Sequence, residues 1–288
     1  MRRWHRGRSA SAVLVIAACL AGCHDDAPTG SSAVAGGTFP SGDVRLGYTL
    51  DLPSGAGPFP AIVFGHGSGR TTRDEARGLA SRLVASGFAV LRYDKRGVGE
   101  STGVYEGVGV GNATRVLGLL ADDMAAGVAF LRTRPEIDPR RIGLMGVSQA
   151  GWIMPLAAQR APSLAFMVLV VGPTVSVGLE IYYSDLAEFS TIPLDQVQAQ
   201  LGAFQGPAGF DPRPILETLS VPGLWLLGEA DRSIPTPQTV AVLESLRASG
   251  RPYRWIVYPG ASHSMTNASG APVDFMSDVL AFLAGFRA

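Results

Sequence analysis

Residues 141–151 read RIGLMGVSQAG and decide the fold of this chain. An apolar, strand-like run ends there in the sharp turn Gly146 to Gly151, and a helical pattern continues from the turn to about Arg160. Such a tight strand-to-helix turn holds its central residue, Ser148, in a strained conformation with the hydroxyl exposed. The stretch therefore predicts an α/β sheet with a candidate nucleophile at the carboxyl end of one strand.

Strand-like and helical patterns alternate on both sides of this turn. The further predicted strands are residues 44–52, 60–64, 88–93, 165–171, 223–227 and 253–258, and the further predicted helices are 73–86, 112–132, 237–248 and 273–286. This alternation is typical of a mostly parallel sheet flanked by helices. Asn112 is predicted to cap its helix. Residues 173–220 interrupt the alternation and predict a short helical lid insertion.

The composition predicts a globular domain with a large core. Hydrophobic residues make up 47% of the 288 residues and charged residues 17%. Basic and acidic residues balance at 24 each, and no basic run occurs, which argues against nucleic acid as a partner. Cys19 and Cys23 are the only cysteines, so the chain beyond them has no thiol for a disulfide, a nucleophile or a metal site.

The first 22 residues are predicted to be an export signal. Basic residues precede an apolar run at residues 12–20, which is shorter than the about 20 residues that a membrane-spanning helix needs. Residues 20–23, LAGC, resemble the lipobox of bacterial lipoproteins, and the alternative is an ordinary signal peptide with a chance cysteine. Residues 23–43 are rich in Gly, Ser, Ala and Thr, which predicts a flexible tether before a domain at 44–288.

The lipobox resemblance implies that Cys23 is acylated and becomes the first residue of the mature chain. We therefore expect an exported protein of the bacterial cell envelope, anchored by its lipid on the periplasmic side. His24, rather than an aspartate, follows the cysteine, which favours the outer membrane over the inner one.

A serine hydroxyl becomes a nucleophile only with a base to take its proton and an acid to orient that base. Of the three histidines beyond the signal, one lies in the tether and one in a glycine-rich turn, which leaves His263 as the candidate base. Asp231 follows the strand at 223–227 and is the candidate acid, with Glu229 as the alternative. The loops after the strands at 223–227 and 253–258 carry Asp231 and His263. Both loops belong to the carboxyl edge of the sheet, where Ser148 also lies.

Residues 65–69, GHGSG, follow a predicted strand and are a candidate oxyanion hole. Glycines allow backbone amides to converge on one point, as a developing oxyanion requires. We expect the two donors to be the amides of Ser68 and Gln149, with His66 supporting the turn and taking no part in proton transfer. A plain glycine-rich turn is the alternative. The constellation implies no metal and no cofactor.

These motifs together resemble the α/β-hydrolase superfamily. The segments that carry the resemblance are residues 65–69, residues 93–99 (YDKRGVG), the turn at Ser148, and the loops of Asp231 and His263. The order serine, aspartate, histidine is also that of the fold. Within the superfamily the chain is most similar to bacterial serine esterases of the dienelactone-hydrolase and acylpeptidase-like branch, over about residues 44–287. Ala150 departs from the pattern because many members have glycine there.

The resemblance implies a serine esterase that cleaves small-molecule carboxylic esters through an acyl-enzyme intermediate. The few charges predicted in the lid favour esters over peptides. The alternatives are a serine peptidase or amidase of the same fold and a catalytically silent binding lipoprotein; the oligomeric state stays open. Asp94 and Arg96 are expected to hold the loop after their strand. Asp122 and Asp123 are expected on the solvated face of a helix or as a cap.

Overall fold

A computed structural model describes residues 34–287 and shows one eight-stranded sheet. The strands are β1 (Val34–Ser41), β2 (Val44–Asp51), β3 (Phe59–Gly65), β4 (Ala89–Tyr93), β5 (Ile137–Val147), β6 (Met167–Val170), β7 (Gly223–Gly228) and β8 (Tyr253–Tyr258). Their spatial order is β1-β2-β4-β3-β5-β6-β7-β8. β2 pairs antiparallel with both β1 and β4, and every other neighbouring pair is parallel.

Helices cover both faces of this sheet. They are α1 (Arg77–Ala85), α2 (Ala113–Arg132), α3 (Ala150–Arg160), α4 (Val177–Ala187), α5 (Leu194–Leu201), α6 (Arg213–Leu216), α7 (Thr236–Ala248) and α8 (Met276–Leu283), with 3₁₀ turns at Arg73–Ala76 and Ala284–Phe286. One face packs against α2, α3 and α7. The other packs against α1 and α8. The predicted α/β-hydrolase arrangement, a mostly parallel sheet flanked by helices with a short helical lid, is confirmed.

The central strands β3, β4, β6 and β7 are almost entirely apolar because both of their faces are covered, and the charged exception, Arg92 of β4, is itself buried. Every residue of β4, β6 and β7 is buried. In β3, Ala61 and Val63 contribute to the core under α2 and α3, while Ile62 and Phe64 contribute to the core under α1 and α8. The alternation follows from the two-residue period of a strand. The sheet thus separates two hydrophobic cores.

The predicted tether at residues 23–43 is wrong for its second half, because residues 34–41 form β1. This edge strand pairs with β2 over its whole length, from Val34 opposite Asp51 to Ser41 opposite Val44. The sequence does not predict this strand, because Gly and Pro are both rare in strands. Its proline is tolerated because β1 lies at the edge of the sheet. Phe39 fixes it from the side: its ring is fully buried and stacks on Phe130 of α2 at 5.4 Å between ring centres.

Asn112 stands at the N-cap position of α2, as predicted, but its side chain does not cap the helix. It accepts a hydrogen bond from the Gly109 amide at 2.7 Å and donates to the Glu106 carboxylate at 2.8 Å, so it orders the preceding loop instead.

The predicted signal peptide and Cys23 lie outside the described residues. Across residues 34–287, the structure contains no helix with the length and apolar character needed to span a membrane.

Candidate active site

The predicted site residues follow the carboxyl ends of parallel strands and meet at one edge of the sheet. Ser148 follows β5, Asp231 lies three residues after β7, and His263 lies in the loop after β8. Parallel strands end at a common edge, which is where open α/β sheets place ligand sites. Ser148 is anchored to this edge by its amide, which donates to the Val170 carbonyl of β6 at 2.9 Å.

The turn that carries Ser148 is strained in the way the sequence predicts. Ser148 has a φ of 50°, in the left-handed region that residues with a Cβ rarely adopt. A Cβ on Gly146 would lie 2.5 Å from the Cβ of Ala150, and one on Gly65 would lie 3.3 Å from it. Ala150 therefore fits because two facing residues lack side chains, and its departure from the usual glycine leaves the turn intact.

Ser148, His263 and Asp231 form one hydrogen-bonded chain. Nε2 of His263 lies 3.1 Å from Oγ of Ser148, and Nδ1 lies 2.8 Å from Oδ2 of Asp231. The other carboxylate oxygen of Asp231 accepts from the amides of Ser233 and Ile234, both at 2.8 Å, which fixes the plane of the carboxylate. All three side chains are buried.

Glu229, the alternative acid, is committed elsewhere. Its Oε2 accepts from the Gly260 amide at 2.9 Å, and it makes no hydrogen bond to His263 in the described part of the chain. Gly228 explains the close approach of the two loops, since a Cβ there would lie 2.4 Å from the Ala261 carbonyl oxygen. The structure thus places Asp231, and not Glu229, beside the imidazole.

The environment of His263 suits a proton acceptor. Burial alone lowers the pKa of the imidazole, but the Asp231 carboxylate outweighs this through its charge and hydrogen bond, so the pKa of His263 is raised above its ordinary value. Because Nδ1 faces a carboxylate, it carries the proton in the neutral ring. Nε2 is then free to accept the proton of Ser148.

The two predicted oxyanion donors leave the sheet side by side. β3 and β5 are neighbours, and Gly65 at the end of β3 pairs with Gly146. Ser68 lies in the loop after β3, and Gln149 follows the serine directly. Within residues 34–287 neither of their backbone amides donates a hydrogen bond to another residue, so both remain available for an oxygen bound at Ser148.

His66 supports this loop and stays neutral. Its Nε2 donates to the Tyr93 carbonyl at 2.5 Å, and its ring lies edge-on to the Tyr93 ring. Burial, together with the positive charge of Lys95, lowers the pKa of His66 to about 3. The imidazole that bonds to Ser148 is that of His263, whereas the hydrogen bond of His66 goes to Tyr93. This placement agrees with a supporting role outside proton transfer.

The loop after β4 is held as the sequence predicts, by Asp94 and Arg96. Asp94 accepts from the Arg73 amide and the Glu100 amide, both at 2.9 Å. Arg96 pairs with Asp123 through two hydrogen bonds of 2.7 Å. The prediction that Asp123 is solvated is therefore wrong: it is fully buried, because α2 turns this position toward the cation from the loop.

The lid is attached to the acid loop by contacts that sequence reasoning missed. The Tyr183 hydroxyl of α4 donates to the Asp231 backbone carbonyl at 2.6 Å. The Arg232 guanidinium donates to the carbonyl of Ala187, the last residue of α4, and to those of Ser190 and Ile192 in the segment that follows. The only signal in the sequence is the adjacency of Arg232 to the predicted acid. The lid and the loop of the acid thus form one connected unit.

Within the described range, no three His, Cys, Asp or Glu side chains are arranged to hold a metal ion.

Glu180 of α4 lies in an acidic neighbourhood that includes Asp231. Burial raises its pKa well above the usual value, and the charges of Glu188, Asp231 and Asp185 raise it further. Glu188 accepts from the Ser233 hydroxyl at 2.7 Å. The lid therefore carries more acidic character beside the site than the sequence suggests.

Comparison with known proteins places this architecture. The sequence matches the prolyl oligopeptidase family over residues 78–286. It is 26% identical over 260 residues to esterase EstD from Thermotoga maritima, an alignment that covers 79% of this chain and 60% of that protein. It is 23% identical over 227 residues to the acylamino-acid-releasing enzyme of Rattus norvegicus, covering 77% and 31%. The chain thus spans between about a third and three fifths of the length of the curated relatives it matches first.

Solved structures share the same fold at low sequence identity. Esterase Pf2001 from Pyrococcus furiosus superposes with a TM-score of 0.66 and 17% identity, covering 89% of this chain and 94% of that one. A putative dienelactone hydrolase from Klebsiella pneumoniae gives a TM-score of 0.63 and 21% identity, covering 89% and 98%. These likenesses establish the α/β-hydrolase fold.

Proposed function

Because this chain belongs to the prolyl oligopeptidase family, we propose that it is a serine hydrolase whose substrates are carboxylic esters. The observation that carries the proposal is the chain of hydrogen bonds from Ser148 through His263 to Asp231, at 3.1 and 2.8 Å. Similarity to esterase EstD along most of the chain supports esters as the substrate class.

The proposed reaction begins with attack of Ser148 Oγ on the ester carbonyl. Nε2 of His263 takes the hydroxyl proton as the new carbon–oxygen bond forms, and Asp231 stabilises the resulting imidazolium. The carbonyl oxygen becomes an oxyanion held by the amides of Ser68 and Gln149. Collapse of the tetrahedral intermediate breaks the bond to the alkoxide. His263 protonates that alkoxide, which leaves as the alcohol.

Water then hydrolyses the acyl-enzyme, and His263 again transfers the proton. His263 accepts a proton from water as the water attacks the acyl carbonyl, and the same two amides hold the second oxyanion. His263 then returns the proton to Ser148 Oγ, which releases the carboxylic acid and restores the enzyme. No step calls on a group beyond the side chains and amides of the site.

The acidic neighbourhood of Glu180 favours a second candidate, an amidase or peptidase that acts on substrates with a free amine. A carboxyl group surrounded by carboxylates attracts a cation, and an ammonium bound there would relieve their mutual repulsion. The similarity to the acylamino-acid-releasing enzyme is compatible with a peptide substrate. Glu180 and Glu188 are the residues on which this alternative depends.

Matched ester and amide substrates separate the two candidates. We expect the purified protein to hydrolyse p-nitrophenyl esters with a kcat/KM at least about 10²-fold higher than that for aminoacyl p-nitroanilides of the same acyl group. Glu180→Gln should leave the ester rates unchanged within about threefold. A preference for the anilides that is lost in Glu180→Gln would replace the ester proposal with the peptidase one.

We also propose that Cys23 carries a lipid that holds the exported enzyme at a membrane of the bacterial cell envelope. The support is the sequence of residues 20–23 and the basic and apolar pattern before it. β1 begins at Val34, so ten residues separate Cys23 from the folded domain. A chain of that length reaches at most about 35 Å.

A further inference from the structure

Lys95 is the only lysine of the chain, and it is buried beneath the candidate oxyanion hole, where only 1% of its surface is exposed. It follows β4 in the loop 93–99. The proton-transfer chain does not use it. A buried ammonium is costly unless its three protons are satisfied, so its partners show what it does.

All three acceptors of Lys95 belong to the two segments that carry the candidate oxyanion donors. Its Nζ donates to the carbonyls of Gly67 and Gly69, at 2.7 and 3.0 Å, and these two residues flank Ser68. The third acceptor is Oε1 of Gln149, at 3.2 Å. One ammonium therefore joins the glycine loop after β3 to the residue that follows the nucleophile.

We propose that Lys95 is a positioning residue for the oxyanion hole: its ammonium holds the Ser68 and Gln149 amides in one geometry and supplies positive potential to the oxyanion between them. The proposal rests on the hydrolase function above and names a further residue of that same site. Its three acceptors are neutral, so no bonded carboxylate cancels the charge. An interaction that is aimed at a charge developing in the transition state raises kcat rather than substrate binding.

The charged and titratable groups around Lys95 leave its charge largely uncompensated. Burial lowers the pKa of Lys95 to about 7, with only partial opposition from the charge of Glu75. His66 is neutral, and Tyr105 presents its ring to Nζ at 5.9 Å. Arg70 adds a second cation on the Tyr105 ring. Above pH 7 the neutral amine has two protons for three acceptors, and the positive potential is lost.

The test replaces Lys95 with methionine, which matches its length without the charge. We expect Lys95→Met to lower kcat about 10²-fold while KM changes less than about threefold. The affinity for a trifluoromethyl ketone, which forms a tetrahedral oxyanion on the serine, should fall by the same factor as kcat/KM. Gln149→Met removes one acceptor and keeps the amide, and we expect a loss of about 10-fold in kcat.

Arg92→Met is the matched control. Arg92 is a buried cation of β4, but it pairs with the Asp51 carboxylate of β2 and with the Arg73 carbonyl, away from the oxyanion segments. We expect it to lower the unfolding temperature at least as much as Lys95→Met while keeping kcat within about threefold. Equal losses of kcat in the two variants, or a Lys95→Met effect confined to KM, would overturn the proposal.

Two further measurements test the proposal even if Lys95→Met does not fold. With ¹⁵N-lysine, the wild-type protein gives a single side-chain signal, whose titration midpoint we expect near pH 7. The wild-type kcat should fall with rising pH at that same midpoint. A kcat that does not fall there contradicts the proposal.

The second measurement is the rate of inactivation by an alkyl fluorophosphonate, compared in wild type and variants, which tests Lys95 independently of esters. Rapid wild-type inactivation without ester turnover would defeat only the ester proposal.

Discussion

At the scale of single residues, the site depends on one strained serine and on the charge beside one histidine. Ser148 has a φ of 50°, and the turn that holds it accommodates Ala150 because Gly146 and Gly65 lack side chains. His263 keeps a raised pKa because the Asp231 carboxylate outweighs the effect of burial. Each residue is held by groups from a different strand end, so the geometry is a property of the sheet edge as a whole.

The raised pKa of His263 predicts the acid side of the pH profile. Only the neutral imidazole accepts the Ser148 proton, so kcat/KM should fall as the pH is lowered through a midpoint above 6.5. Asp231→Asn removes the charge that raises this pKa, and we expect the midpoint to move below 6.5 and the rate to fall about 10³–10⁴-fold. Rates measured from pH 4 to 9 check both expectations.

Glu229→Gln is the control for this profile, because Glu229 is the alternative acid and lies on the same loop. It should keep the midpoint and hold the rate within about threefold of the wild type. If Glu229→Gln moves the midpoint and Asp231→Asn does not, the assignment of the acid is reversed.

At the scale of elements, the lid is built into the site through Arg232. Three carbonyls, at the last residue of α4 and in the segment that follows it, accept hydrogen bonds from its guanidinium, and Tyr183 donates to the backbone of the neighbouring Asp231. α4 and α5 also share a small hydrophobic cluster of their own. The lid therefore behaves as a wall fixed to the acid loop.

Arg232→Met tests this attachment. Loss of its hydrogen bonds should lower the free energy of unfolding by about 1–3 kcal/mol, and loosening of the Asp231 loop should reduce kcat more than it changes KM. Arg213→Met is the control, since Arg213 also lies in the lid region but its side chain is 53% exposed and pairs with Asp211. We expect a change within about 0.5 kcal/mol there. Chemical denaturation gives both values, and equal effects would contradict a fixed lid.

Local patterns in the sequence predict most of the fold and the site, and the misses have physical causes. The turn at Ser148 and the strands before Asp231 and His263 can be predicted locally, because apolar periodicity and turn residues are enough to identify them. β1 was missed because its Gly and Pro residues mask a strand that pairing and Phe39 stabilise. The burial of Asp123 and the contacts of Lys95 were missed because their partners lie 26 or more residues away in the sequence.

At the scale of the whole molecule, the folded domain follows closely on the proposed anchor. β1 begins at Val34, so the stretch between Cys23 and the sheet is about half of the tether that the sequence predicts. The edge strand β1 is thus the described element nearest in sequence to the proposed site of lipid attachment. Lipid attachment at Cys23 would hold the site within a few tens of ångströms of the bilayer surface.

Cys23→Ser tests the anchor. We expect the wild type to incorporate an alkyne fatty acid and to sediment with bacterial membranes, and Cys23→Ser to lose both properties, because acylation needs the thiol. Cys19→Ser, four residues earlier in the predicted signal, is the control and should behave as the wild type. Fatty-acid labelling that persists in Cys23→Ser would rule out this site of attachment.

The central claim is that Ser148 forms an acyl-enzyme with esters. Its most direct test is hydrolysis of p-nitrophenyl esters, from two-carbon to twelve-carbon acyl chains, by wild type and Ser148→Ala purified side by side. The account predicts turnover that peaks at one chain length and a kcat lower by about 10⁴-fold or more in Ser148→Ala. Near-normal turnover in Ser148→Ala would contradict it, because the nucleophile would then lie elsewhere.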